Sequence, residues 1–178
     1  MIYIDSGMID EHVKYCCLAI LVPIDRPFHP RIYLTMSVAA SLGLSAMEAF
    51  SQLDLITKDI DQGITLSFMK VLGPLAIKPA IHILGGLLIG LNQIRNDRLQ
   101  ERRNVFHIVV SSALLHGGYS MSIMLANVLQ MFVGWDDPRD KMLTAFAVGY
   151  VLVYFEVFRR KFVALRRELA ALRPQVEI

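Results

Sequence analysis

Charge is what this chain has least of where a soluble domain would need it. Asp, Glu, Lys and Arg make up 19% of its 178 residues, below the roughly 25% of ordinary globular proteins. From Val105 to Trp135 there is none of them, a run of about 31 residues where about 20 suffice to cross a bilayer as helix. That gap excludes a solvated surface helix. Cysteine is nearly absent too. Cys16 and Cys17 are neighbours in an apolar run, about 100° apart on a helix, so they pack as small side chains and form no disulfide framework. Met1 to Glu11 has no basic stretch leading into an apolar core, so no secretory leader is expected. The net charge is +2, and no basic surface interleaved with aromatics appears, which counts against nucleic acid as a partner. No internal repeat or low-complexity segment occurs either.

What is present is apolar residues in blocks. They form 54% of the chain, with a mean hydropathy of +0.47. The blocks run about 13–24, 32–53, 71–91, within 105–135, and 142–158. Pro23, Pro27 and Pro30 end the first, because proline removes a backbone donor and breaks helices. The pattern predicts an all-α protein, a polytopic transmembrane bundle of about five spans covering 1–158, with the lipid bilayer as its surroundings. A basic tail, 159–178, follows as a helix along the surface until Pro174.

Alternate connections lie on the same side of a membrane. The 25–31 turn, the 95–104 loop and the tail hold Arg26, Arg31, Arg95, Arg98, Arg102, Arg103, Arg159, Arg160, Lys161, Arg166, Arg167 and Arg173. The other side holds Lys58, Arg139 and Lys141 beside Asp54, Asp59, Asp61, Asp136, Asp137 and Asp140. The positive-inside rule then predicts a cytoplasmic C-terminus and an N-terminus outside or luminal.

Ionisable groups inside hydrocarbon are costly, so each is a functional candidate. Glu11 and Lys14 are expected at the outer mouth of the first span, and Glu48 near the outer end of the second. His82 falls near the middle of the third, one turn after Lys78, and His116 near the middle of the fourth. With a rise of about 1.5 Å per residue, Glu11 and Glu48 lie toward the outer side and both histidines at mid-depth. Four residues from four helices then converge on one cavity. Carboxylates in a dry pocket act as general bases, and imidazoles donate to an oxyanion or hold a metal. Each has a plainer reading. Glu11 and Lys14 also suit an interfacial ion pair, Glu48 a headgroup contact, and His82 and His116 hydrogen bonds between helices. Lys78 pairs with Glu48 or with a lipid phosphate. His12, His29 and His107, near span ends, are expected to be interfacial. Gly85, Gly86, Gly90, Gly117 and Gly118 let backbones approach.

Four segments carry a family resemblance. Asp10-Glu11-His12-Val13-Lys14 resembles the EExxK motif of the PrsW family of membrane peptidases. Ala39 to Glu48 resembles that family's small-residue helix ending in FxxxE. Ile81 to Gly90 resembles its His-bearing, glycine-rich helix, and Ala113 to Ser120 the later helix with a second His. Order and spacing agree over about residues 8 to 130. Asp10 stands for the first Glu, Leu44 for the Phe, and Ser120 where Asp or Asn is often found. The family has further helices ahead of its first motif, so a truncated or divergent member is expected.

The resemblance, which groups the chain with CAAX prenyl endopeptidases and their bacterial relatives, implies a glutamate-dependent intramembrane peptidase acting on a membrane-associated protein. Glu11 would activate water, assisted by Glu48, His82 and His116, with Asp10 and Lys14 completing the motif. It leaves open whether a divalent metal takes part. Two other readings stand beside it. One is a non-catalytic membrane scaffold or binding protein of the same fold. The other is a transporter with a Glu/His proton relay, which the missing repeat disfavours.

Overall fold

A backbone surrounded by hydrocarbon must satisfy its polar groups internally, and long apolar blocks do so as helices. The computed structural model describes residues 2–21, 29–61, 73–101, 103–133 and 138–172, and among them there is no strand. Five helices follow in order: α1 (Ile2–Leu21), α2 (Pro30–Asp61), α3 (Lys78–Arg98), α4 (Val105–Val133) and α5 (Pro138–Leu172). A single π-helical turn, Gly73–Ile77, leads into α3. Prolines stand in the first turns of α2, α3 and α5, where a missing N–H costs nothing. The chain leaves α3 through Gln100, whose φ of 52° is left-handed.

Among the described residues, three helices are long and apolar enough to cross a membrane: Pro30–Lys58, Leu75–Arg98 and Val105–Leu125. They correspond to the second, third and fourth apolar blocks. The fifth block lies in α5 and the first in α1. Residues 22–24, with Pro23 and Pro27, lie outside the described residues, as do most of the 25–31 turn, residues 71–72, Arg102, Asp136, Asp137 and the tail beyond Leu172. Large apolar side chains point outward along these helices, among them Leu42, Met47, Phe50, Leu114, Leu125, Leu152 and Phe155. A soluble monomer rarely exposes so much apolar surface, whereas lipid tails cover it without penalty.

α3 is the central element, buried on most of its circumference and touched by every other helix. α2 packs along it most extensively, and α1 against α4. The α2–α3 seam has a simple rule. Tyr33, Ser37, Ser41 and Ser45 recur every four residues as the buried stripe of α2, and Gly86 and Gly90 of α3 face them. An added Cβ at Gly86 would strike Ser41 Oγ and come within 2.6 Å of the Ser37 carbonyl oxygen.

Two apolar clusters flank the polar layer. One joins Leu18, Tyr33, Ile89, Leu91, Ile94, Ile108 and Leu165. The other joins Ile77, Ile81, Leu84, Leu88, Tyr119, Ala147 and Tyr154. Leu165 belongs to the segment expected to be a surface tail. α5 runs without a break past Arg159 to Leu172, a helix as expected, and Leu165 is buried as part of the first cluster. Nearby, Asn92 donates to the Ile108 carbonyl (2.7 Å), Tyr33 to Asp97 (2.6 Å), and Lys161 to Ser111 (3.1 Å).

Candidate functional site

α1 begins at Ile2, so Glu11 stands halfway along it rather than at a helix mouth. Its carboxylate is fully buried. Lys14, one turn on and 2% exposed, pairs with Glu11 Oε1. His116 of α4 contacts the same oxygen through Nδ1 at 3.1 Å. Ser112, one turn before His116, donates to Glu11 Oε2 at 2.5 Å. Tyr154 of α5, fully buried, lies 3.0 Å from Ser112 Oγ. Gly85 of α3 makes room for this group, since a Cβ there would come within 3.0 Å of Ser112 Oγ, Tyr154 OH and Glu11 Oε1. The Glu11–Lys14 ion pair therefore forms inside a buried polar network and not as an exposed charge pair.

A second carboxylate serves the other histidine. Glu48, on the face of α2 that continues the serine stripe, accepts from His82 Nε2 at 3.0 Å. Lys78 Nζ lies 3.4 Å from the same oxygen, so Lys78 pairs with Glu48. The two imidazoles meet with ring centroids 4.7 Å apart at an interplanar angle of 78°. Lys14 ties the halves together by also reaching the His82 carbonyl oxygen at 3.4 Å.

Asp10 completes the cluster. Its side chain keeps 21% exposure, and its Oδ2 lies 3.9 Å from His116 Nε2. Asp10, His82 and His116 each offer one ligand atom within 4.8 Å of the others. Among the described residues, these three could hold a metal. All six candidate residues, Asp10, Glu11, Lys14, Glu48, His82 and His116, thus belong to one connected cluster drawn from four helices. His12, His29 and His107 stay outside it, with bonds to Met8, Arg31 and Asn104 on their own segments.

Ser112 and Tyr154 escaped the sequence reading. For Ser112 a signal existed, because it precedes His116 by four residues and shares its helix face. Tyr154 gives none, being one of several aromatics in an apolar block.

Compared with family models, curated proteins and solved structures, the chain finds no match.

Proposed function

We propose that this chain is a membrane-embedded peptidase of PrsW type, cleaving a membrane-associated protein. The observation that carries the reading is the convergence of two imidazoles and three carboxylates from four helices in one connected cluster. Such groups are expensive in a bilayer and are kept where they perform chemistry.

The division of labour follows from occupancy. Glu11 accepts from Lys14, His116 and Ser112 and is sealed from solvent, so it orients its neighbours. Asp10 is the partly open carboxylate next to His116 and takes the part of general base. It accepts a proton as water oxygen attacks the scissile carbonyl carbon. Asp10 then returns the proton to the amide nitrogen as the C–N bond breaks. Glu48 and Lys78 hold the His82 ring.

The test compares new N-termini of membrane proteins in cells expressing the wild-type chain or Asp10→Asn. Termini that require the wild type, and are lost in Asp10→Asn and His116→Gln proteins still found in the membrane, are the expected result. No wild-type-dependent terminus would sink the peptidase reading. The scaffold reading draws on the full engagement of Glu11, which suits a purely structural polar core, and it expects that negative outcome. The excess of Lys and Arg on one set of connections supports a cytoplasmic C-terminus. A C-terminal reporter should read cytoplasmic.

A further inference from the structure

We infer that Asp10, His82 and His116 form a binding site for one divalent transition ion of the zinc class. The cluster has the layered construction that metal centres use. A ligating histidine presents one nitrogen to the ion and is held at the other by a carboxylate, which fixes its tautomer and raises its basicity. Both histidines here are gripped in that way from different helices. His116 Nδ1 is held by Glu11 at 3.1 Å, which frees Nε2, the nitrogen that lies 3.9 Å from Asp10 Oδ2. His82 Nε2 is held by Glu48 at 3.0 Å, which frees Nδ1.

A second observation points to a ligand independently. His82 is fully buried, and its Nδ1 has no hydrogen-bond partner. A buried nitrogen left unpaired costs about 1–3 kcal/mol, and an ion at this point removes that cost.

Distances and charge agree. Ligands at about 2.1 Å from a tetrahedral ion stand about 3.4 Å apart. The ligand atoms here lie within 4.8 Å of one another, and the Asp10–His116 pair is at 3.9 Å. Closing the set takes a small inward shift of the side chains, and Asp10, the least buried of the three, is the freest to move. Two imidazole nitrogens and one oxygen favour zinc-class ions over magnesium or calcium, which require oxygen donors. Asp10, Glu11 and Glu48 set three negative charges against the ammoniums of Lys14 and Lys78. Counted without the imidazoles the cluster keeps one negative charge, which a dication offsets.

Three protein ligands leave one position of a tetrahedral ion open, the arrangement of hydrolytic rather than structural sites. Such an ion, when bound, lowers the pKa of a water. One oxygen of Asp10 then ligates while the other stays free for a proton. This use rests on the peptidase reading above, whereas the binding itself does not.

The full chain, purified in detergent and stripped with a chelator, is titrated with Zn²⁺ and with Co²⁺ as a visible probe. About one ion per chain is expected after desalting. Asp10→Asn, His82→Gln and His116→Gln should each bind at least tenfold more weakly, and Glu48→Gln about 10- to 100-fold more weakly through its loss as an outer partner. Failure of the wild type to retain an ion overturns the inference. So does retention that none of these substitutions weakens, which would locate the ion elsewhere. New N-termini released by metal-free protein would overturn the ion's part in cleavage and leave the peptidase standing. One bound ion with no new termini would overturn the peptidase and leave the ion.

Discussion

Ser112 Oγ on α4 donates to Glu11 Oε2 on α1 over 2.5 Å, joining residues 101 apart in sequence. The bond fixes the carboxylate that in turn aims His116, so a hydroxyl outside every recognised motif sets the geometry of the cluster. A hydrogen bond to a charged group contributes about 1.5–3 kcal/mol. Ser112→Ala should lower stability by an amount in that range in detergent thermal unfolding. Ser112→Thr, which keeps the hydroxyl, should recover much of it. Equal losses in both variants would assign the effect to packing alone.

The Lys14–Glu11 pair predicts non-additivity. Both side chains are almost fully buried, and removing one partner strands the other charge in a low-dielectric interior. That costs about 3–5 kcal/mol, whereas replacing both with apolar or neutral groups of similar volume is often far milder. Lys14→Met and Glu11→Gln are each expected to destabilise strongly, and the double variant by less than the sum of the two. Additive losses in a double-mutant cycle would show that the pair is not coupled.

These networks mark how far the sequence could be read. The apolar blocks are long enough that helix was the only state their backbones could take, and the polar positions within them stood out because hydrocarbon penalises them. Glu48, His82 and His116 were legible for that reason. The depth of Glu11 was not. Asp5, Asp10 and Glu11 look like a solvated approach to a span, yet α1 already runs from Ile2 and puts Glu11 in its middle. The tail was legible as a helix, which runs to Leu172, but its attachment was not. Its arginines dominate the composition of 159–173, while the feature that docks it, Leu165 on the inner face of α5, is a single apolar residue in a charged stretch. Which carboxylate is sealed and which is open depends on neighbours such as Ser112 and Tyr154, brought together only by tertiary packing.

The α2–α3 seam offers a test of packing free of any functional assumption. At Gly90 an added Cβ would meet Ser37 Oγ at 2.6 Å and Ser37 Cβ at 3.3 Å, so the closest obstacle is a removable hydroxyl. At Gly86 the obstacles include the backbone carbonyl of Ser37 at 2.6 Å, which no substitution removes. Gly90→Ala should therefore be partly rescued by Ser37→Ala, while Gly86→Ala should stay unfolded or poorly inserted even with Ser41→Ala. Gly43, with nothing within 4 Å of its added Cβ, serves as control. Gly43→Ala is expected to be neutral or to stabilise α2 by up to about 1 kcal/mol. Rescue at Gly86 as complete as at Gly90 would refute the backbone contact.

Acid should act on the loop between α3 and α4 through Glu101. Its carboxylate accepts from Arg95 Nε at 3.0 Å and Arg95 Nη2 at 2.7 Å, and it pairs with Arg103, while Glu168 shares Arg95 at 2.9 Å. The hydrogen bonds from Arg95 are the main cause holding Glu101 below its ordinary value of 4.5, with Arg103 adding to the effect. The folded state therefore binds this proton less readily than the unfolded chain. The stabilising contribution is complete above about pH 4.5 and is lost as pH falls through the depressed folded value. Glu101→Gln has no such proton to take up. Between pH 6 and 3 its unfolding temperature should fall less than that of the wild type, the two curves converging at the acid end. High salt should shrink the difference, because the group is partly exposed to solvent and screened. Curves that stay parallel across the window would mean that the Arg95–Glu101–Arg103 contacts contribute nothing to the folded state.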